Sequence, residues 1–263
     1  MSKLKRTTII SVLFLMLSVG SAPSAHALII DVTINGSDAI FLAGRTDLVI
    51  PPANQSWPGG MLRHSGPTPE EILETLPPII AVSAGDVIRA LDPAVGGISF
   101  FNGFGAPLFG PDGGVGGQTN LSGFGGISGF LSDGQGPLAG VFLDNSIPNG
   151  VAPARLDFTA GGIGTDFLAL TPGLGEAFFI GDGQTSGGIF HEFTAPAGAT
   201  RLALGIPDGF GFVGVPGAYD DNDGAYRIRI GINEVPTIPE PTTIMLMGLG
   251  LAGIGFARRR LNV

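Results

Sequence analysis

Residues 201–232 read RLALGIPDGFGFVGVPGAYDDNDGAYRIRIGI. Apolar and other side chains alternate in segment 201–206, and they alternate again in segment 225–232, where Arg227 and Arg229 occupy the polar positions. Alternation over four to eight residues is typical of a half-buried strand. This stretch therefore predicts two strands that each place one face in a core, joined by a loop of Gly, Pro and Asp.

The remainder of the chain repeats this character. Its 263 residues include 45 Gly and 21 Pro, which separate short apolar runs. Gly and Pro at these intervals predict turns between short strands. Further strands are predicted at 28–34, 39–43, 87–91, 140–143, 155–158, 177–180 and 188–194. The pattern indicates an all-β fold, a single jelly-roll-like β-sandwich with long Gly-rich loops.

Two segments depart from the strand pattern. Segment 68–76 carries a helix start signal at Thr68, with Glu70, Glu71 and Glu74 expected on a solvated face. Segment 96–136 is a Gly-rich stretch that contains six Phe residues. We expect those rings to anchor long loops to the core, and partial disorder of the stretch is the alternative.

Charge is unevenly distributed along the chain. The whole sequence carries a formal charge of −9, whereas residues 28–239 hold seven Arg, no Lys and 21 acidic residues, a charge of −14. A nucleic-acid-binding protein needs clustered cations to neutralise phosphates, so this class is excluded. The absence of Cys excludes disulfides, thiolate metal sites and a cysteine nucleophile.

The N-terminus has the features of a secretory signal. Lys3, Lys5 and Arg6 precede an apolar run at 9–19, which is short for a membrane span. Ala25 and Ala27 supply the small residues that a signal peptidase recognises. We predict a signal peptide at 1–27 and a body at 28–234. A retained N-terminal membrane anchor is the alternative.

The C-terminus combines three parts in a fixed order. Pro239, Glu240 and Pro241 precede an apolar run at 242–257, which Arg258, Arg259 and Arg260 follow. As a helix the run would span about 24 Å, close to the hydrocarbon core of a bilayer. The Arg cluster predicts a cytoplasmic end. We therefore predict a transmembrane helix at 242–257.

This order at 235–263 resembles the PEP-CTERM sorting signal of exported proteins of Gram-negative bacteria. The same kind of segment is also described as an ice-binding protein C-terminal domain, a label that implies no ice binding here. The resemblance implies processing by an exosortase and only transient contact with the inner membrane. The body would then reach the cell envelope, the cell surface or the extracellular space. A permanent transmembrane anchor is the alternative.

An acidic cluster occupies the loop of the opening stretch. Asp220, Asp221, Asn222 and Asp223 place three carboxylates and an amide within four residues. Calcium prefers six to eight oxygen ligands of these kinds. The spacing is not that of an EF-hand, because Tyr219 and Ile230 stand where acidic ligands are needed. The alternative is an acidic turn, since Asp, Asn and Gly favour turns.

The block around this loop resembles the C-terminal half of the small galactophilic bacterial lectins, a calcium-dependent β-sandwich family. In that family a strand ends in Asp and is followed by a Val-Pro-Gly turn with a Tyr, two amide ligands, a Gly and an alternating strand. This chain has Asp208, Val215-Pro216-Gly217, Tyr219, Asp221-Asn222 and Gly224 in the same order. Weaker likenesses lie at 190–196, 85–88 and 109–111. The resemblance implies a galactose-binding-like jelly roll.

The resemblance also implies a ligand set for Ca²⁺. The carboxylates of Asp208 and Asp221, the amide of Asn222 and the carbonyl of Ala218 would bind the ion, with a further carbonyl from residues 101–105. In that family two vicinal sugar hydroxyls complete the shell. This chain departs by six residues inserted after Asp208 and by lacking a His after Pro111.

No catalytic motif appears in the sequence. The body has only two His, and both His64 and His191 are interpreted as exposed or capped residues; Glu192 would point to the opposite face of a strand from His191. We expect a non-catalytic surface or extracellular-matrix protein with calcium-assisted binding of a glycan or exopolysaccharide. The alternatives are a structural protein whose calcium has no sugar partner, and a polysaccharide hydrolase with a dispersed acidic site.

Overall fold

The computed structural model describes residues 27–52, 73–101 and 108–234. These residues form fourteen strands and three short 3₁₀ turns, and none of them lies in an α-helix. The strands are β1 (Leu28–Asn35), β2 (Ile79–Ala81), β3 (Val87–Ala90), β4 (Val95–Ser99), β5 (Thr119–Leu121), β6 (Phe130–Ser132), β7 (Ala139–Leu143), β8 (Asp157–Phe158), β9 (Ala169–Leu170), β10 (Ala177–Phe179), β11 (Glu192–Thr194), β12 (Arg201–Gly205), β13 (Val213–Gly214) and β14 (Asp223–Ile232).

The strands form three sheets. The largest has the order β1-β14-β3-β11-β9, and β4 also pairs with β14. The second has the order β10-β7-β12-β2, and the third has the order β13-β5-β6-β8. Most pairs are antiparallel, with parallel pairing only at the short strands β9, β13 and β8 within the described residues. The predicted all-β class is confirmed, and the jelly-roll connectivity stays a prediction.

The opening stretch supplies a central strand to each of two sheets. Strand β14 pairs with the whole of β1 through residues 225–232, and with β4 and β3 on its other edge. Its alternation is as predicted, since Tyr226, Ile228 and Ile230 are buried and Arg227 is exposed. Strand β12 corrects the prediction of a single core face. Ala203 and Leu204 point to opposite faces of the strand, and both are fully buried, so β12 is covered on both sides.

Aromatic side chains anchor the Gly-rich loops. Phe100, Phe124 and Phe130 from segment 96–136 are buried, which confirms the predicted anchoring for these three rings. Phe109 is partly buried, Phe101 is half exposed, and Phe104 lies outside the described residues. The ring of Phe130 stacks on Phe158 from β8 within the third sheet, and Phe158 also contacts Phe179 of β10, which links this sheet to the second. Strands β5 and β6 also form in this segment, because each short strand finds its partner within the same glycine-rich stretch.

The strand predicted at 39–43 is wrong. Residues Ile40–Leu42 form a 3₁₀ turn that is fully buried, and Ala39 makes only a single bridge to Ile206. A short apolar run that is buried on all sides looks the same in sequence as a buried strand.

The prediction of a helix at 68–76 is wrong for residues 73–76, the part of the segment that the structure describes. Residues 73–76 are not helical, because Thr75 makes a parallel bridge to Asp38 beside the core. Glu74, expected on a solvated face, is fully buried. His64 and the start of this segment lie outside the described residues.

The two ends of the body lie side by side. Leu28, the first residue after the predicted signal cleavage, is paired with Ile232, which ends β14 just before the predicted sorting tail. The proposed boundaries at 27 and 234 stay predictions. Among the described residues no helix is long and apolar enough to cross a membrane, and segment 242–257 lies outside them.

Candidate functional site

A pocket of about 90 Å³ lies between the loop after β12 and the acidic loop before β14. It brings together three of the four predicted calcium ligands, Asp208, Ala218 and Asp221. The remaining walls are aromatic or glycine residues: Phe100, Phe101, Gly209, Phe210, Gly211 and Phe212.

The carboxylate of Asp208 is the most deeply buried charge of this pocket, with 3% of the residue exposed. Its Oδ1 accepts a hydrogen bond from the backbone N–H of Gly209, and its Oδ2 accepts one from Nδ2 of Asn222 over 2.8 Å. Burial raises the pKa of the Asp208 carboxyl well above its usual range. These two hydrogen bonds oppose the shift, and the nearby charges of Asp221 and Asp220 add to it.

Asn222 is the fourth predicted ligand, and the structure holds it directly against Asp208. Its Nδ2 donates to Asp208 and also to the carbonyl of Gly36 over 2.9 Å. Its Oδ1 is buried and accepts no hydrogen bond from any described residue. A buried oxygen without a donor costs about 1–3 kcal/mol, and a bound ion is one of the partners that explain such a group.

A tyrosine joins the two loops. The phenol of Tyr219 accepts a hydrogen bond from the backbone N–H of Asp208 and donates one to the carbonyl of Ile206. Tyr219 begins the 3₁₀ turn Tyr219–Asp221, so the same contact fixes the acidic residues relative to the end of β12. Tyr219 therefore positions the carboxylates of the pocket.

Backbone strain is concentrated at this pocket. Phe212 and Ala218 have φ values of 59° and 61°, and only one other non-glycine residue of the described chain has a positive φ. A bulky or β-carbon-bearing residue rarely adopts this conformation. Strain of this kind tends to occur where a loop is held in shape for binding.

The remaining acidic residues of the predicted cluster do not line the pocket. Asp220 is a buried residue of the Tyr219–Asp221 turn, and Asp223 is the first residue of β14. The predicted carbonyl from 101–105 is described only at Phe101, which does line the pocket. Within the described ranges no three His, Asp or Glu side chains are placed to hold one metal ion. Any ion here would depend on two carboxylates, an amide and backbone oxygens.

A larger pocket, of about 460 Å³, was not predicted from the sequence. Four aspartates line it, and each of them accepts a backbone N–H: Asp112 from Asp182, Asp133 from Ala160, Asp166 from Ser186 and Asp182 from Gln184. These carboxylates therefore hold turns together. The sequence does carry a signal for them, because three of the four precede a glycine, a pair that favours turns.

His191 corrects the prediction of an exposed or capped residue. Its side chain is fully buried, stacks on Phe167 with ring centres 4.4 Å apart, and places Nδ1 2.6 Å from the Phe167 carbonyl. Burial lowers the pKa of the imidazole. Glu192 points the other way, as predicted, and pairs with Arg89 over 2.7 Å. The two side chains cannot act as one acid–base pair.

Comparison with known families supports the predicted C-terminal sorting signal. Residues 237–260 match the PEP-CTERM protein-sorting motif, a range that contains Pro239–Pro241 and Arg258–Arg260. The motif indicates exosortase-dependent export and sorting to the cell envelope or surface. No curated protein and no solved structure matches the chain.

Proposed function

We propose that this chain is a non-catalytic surface or matrix protein of a Gram-negative bacterium that binds Ca²⁺ beside Asp208 and a carbohydrate at that ion. The observation that carries the proposal is the contact between Asp208 and Asn222. A buried carboxylate with a raised pKa stands against a buried amide whose Oδ1 has no donor among the described residues.

The residues present fit a hard cation. Calcium takes six to eight oxygens from carboxylates, amides, carbonyls, water or ligand hydroxyls. Asp208, Asp221, Asn222 and the carbonyl of Ala218 supply four oxygens if each carboxylate binds through one oxygen and six if both bind through two, which leaves room for outside oxygens in a shell of up to eight. A bound ion would offset the repulsion between carboxylates and give the Asn222 oxygen a partner. Vicinal hydroxyls of a sugar would fill the open positions.

Calcium binding is tested by titration calorimetry of the exported chain purified in mild detergent. We expect one ion per chain and at least a tenfold loss of affinity in Asp221→Ala, since a ligand charge is removed. Asp223→Ala is the matched control, because this carboxylate lies two residues further on and outside the pocket lining. Equal Ca²⁺ binding in Asp221→Ala and the unaltered chain would reject the site.

The second candidate is a structural surface protein whose calcium has no sugar partner. The hydrogen bond from Asn222 to the Gly36 carbonyl favours it, because an ion here would also fasten the end of β1 to the acidic loop. A glycan array probed with Ca²⁺ and with EDTA separates the two functions. Calcium-dependent signals support the carbohydrate site, and thermal stabilisation by Ca²⁺ without any signal supports the structural role.

A further inference from the structure

Two aromatic side chains are exposed at the mouth of the pocket that contains Asp208. Phe210 has 71% of its surface exposed and Phe101 has 50%, and both line the same pocket as the carboxylates. Phe210 belongs to the six residues 209–214 that separate Asp208 from the Val-Pro-Gly turn. This loop therefore adds an apolar wall to a site whose base is acidic.

The loop that carries Phe210 is held in place on its C-terminal side. Phe212 is buried and meets the ring of Phe100 edge-on at 5.2 Å, although this requires a positive φ. Val213 and Gly214 then pair with β5. The chain thus accepts a strained backbone two residues after Phe210, whose side chain stays largely exposed at the pocket.

Phe101 is fixed as well. Its ring packs edge-on against Phe109 at 6.3 Å, and the backbone of Phe109 is bonded to Ile98 in β4. The ring of Phe101 and the backbone that carries Phe210 consequently stand at defined places around the pocket. Binding to rings that are already positioned loses less side-chain freedom than binding to mobile ones.

The combination of acidic base and aromatic walls points to a ligand with two unlike sides. The face of an aromatic ring is electronegative and attracts the positively polarised hydrogens of a neighbouring group. A hexopyranose has C–H groups on one face and hydroxyls around its edge. Hydroxyl oxygens would meet a cation at Asp208 and Asp221 while the C–H face covers a ring.

We infer that loop 209–214 is an aromatic platform, with Phe210 stacking on the C–H face of a hexopyranose bound at the pocket. This inference rests on the proposed function, because the ion held by Asp208 would orient the hydroxyls. It goes further in assigning sugar affinity to Phe210.

The test measures binding of methyl β-D-galactopyranoside and methyl α-D-mannopyranoside to the exported chain in Ca²⁺, by titration calorimetry. Phe210→Leu keeps an apolar side chain without the ring, and we expect it to weaken sugar binding about tenfold. Phe210→Tyr keeps the ring and should bind as the unaltered chain does. Val213→Ala is the control, because Val213 is exposed on the same loop and does not line the pocket.

The outcomes separate this inference from the proposed function. Equal sugar affinity in Phe210→Leu and the unaltered chain overturns the platform and leaves the calcium site standing. Calcium binding without binding of either glycoside also overturns it. Sugar binding that depends on Phe210 but persists in EDTA supports the platform and rejects the ion. Binding of the apolar rim to neutral phosphatidylcholine vesicles in place of sugar would overturn the inference in favour of a lipid surface.

Discussion

The hydroxyl of Tyr219 accepts a hydrogen bond from the backbone N–H of Asp208 over 3.1 Å. The same oxygen donates to the carbonyl of Ile206 over 2.7 Å, so one side chain satisfies two groups at the end of β12. Because Tyr219 begins the acidic turn, the distance between the two halves of the candidate site depends on this contact.

Tyr219→Phe should lower the free energy of unfolding by about 1–3 kcal/mol, because a buried donor loses its partner. Thermal unfolding would show this as a loss of about 2–4 °C per kcal/mol for a domain of this size. The change should also reduce the extra stabilisation given by Ca²⁺. Tyr226→Phe is the matched control, since that buried hydroxyl bonds Gly110 and Gly136 away from the pocket. Identical Ca²⁺ responses in the two variants would contradict a positioning role.

Asp208→Asn should separate stability from ion binding. Without an ion the buried carboxylate is unfavourable, as its raised pKa indicates, so the amide should leave the metal-free chain as stable or more stable. Saturation with a specific ion adds about 2.7 kcal/mol at a concentration of one hundred times Kd, and this increment should disappear in the variant. Thermal unfolding with Ca²⁺ and with EDTA measures both effects.

Asp144→Asn is the matched control for that experiment. Its carboxylate accepts the N–H and hydroxyl of Ser146 on an exposed loop, far from any ion expected here. The control should lose a little stability and keep the full response to Ca²⁺. Should Asp208→Asn still respond to Ca²⁺ as the unaltered chain does, the ion binds somewhere else.

The sorting motif predicts a specific processing defect. Replacing Pro239, Glu240 and Pro241 by alanine should leave the exported chain full length in the membrane fraction, because the motif is what the exosortase system acts on. Mass spectrometry of both termini is the measurement. The N-terminus should still begin at Leu28 in the variant, which serves as the internal control. A shortened C-terminus in the alanine variant would show that another signal directs processing.

The second strand of the opening stretch could be predicted in full because its alternation reports burial directly, whereas the alternation of β12 did not reveal that both of its faces are buried. Tyr226, Ile228 and Ile230 take one face of β14 whatever the partner strand is. The turn at Ile40–Leu42 could not be predicted, since its burial comes from distant parts of the chain. His191 was misjudged for the same reason. Its burial depends on the Phe167 ring and carbonyl, twenty-four residues away.

The candidate site was partly predictable. The acidic composition of 220–223 marked one loop, but composition alone did not connect it to Asp208. That pairing came from a family resemblance, and the structure then placed Asp208 and Asn222 in hydrogen-bond contact. The exposure of Phe210 had no sequence signal, because the same Gly-Phe pattern occurs where phenylalanine is buried, as at Phe124.

The burial of His191 predicts how stability changes with pH. Burial lowers the pKa of its imidazole in the folded protein, although Asp112, Asp182 and the Phe167 carbonyl act in the opposite direction. An unfolded histidine titrates near about pH 6.5. Below that pH the unfolded chain takes up the proton first, so the contribution of His191 to stability is present above it and is lost as pH falls.

The variants His191→Gln and His191→Phe should therefore show a shallower loss of stability between about pH 7 and pH 5. Their absolute stability will differ from that of the unaltered chain, because Gln packs less well and Phe gives up the bond to the Phe167 carbonyl. The slope against pH is consequently the quantity to compare, measured by urea unfolding. An unchanged slope in both variants would mean that other groups control acid stability.

The last prediction concerns Gly224, the second residue of β14, which directly follows the acidic loop. Its φ is 102°, and a β-carbon there would lie 2.2 Å from the carbonyl oxygen of Gly97 in β4. Gly224→Ala should thus separate β4 from β14 and disturb the bond from the Gly36 N–H to the Gly224 carbonyl, which lies next to the candidate site. We expect a loss of stability and of Ca²⁺ response together.

Gly85→Ala separates the two causes of that loss. Gly85 also has a positive φ, of 86°, but a β-carbon there would meet nothing within 4 Å. The free energy of unfolding of this alanine variant should fall only by the cost of placing an L-residue at a positive φ, about 1–2 kcal/mol. Gly224→Ala should lose more, because the clash is with backbone that cannot move without breaking strand pairs. Thermal unfolding of both variants gives the difference, and equal losses would mean that β4 and β14 adjust to the extra carbon without separating.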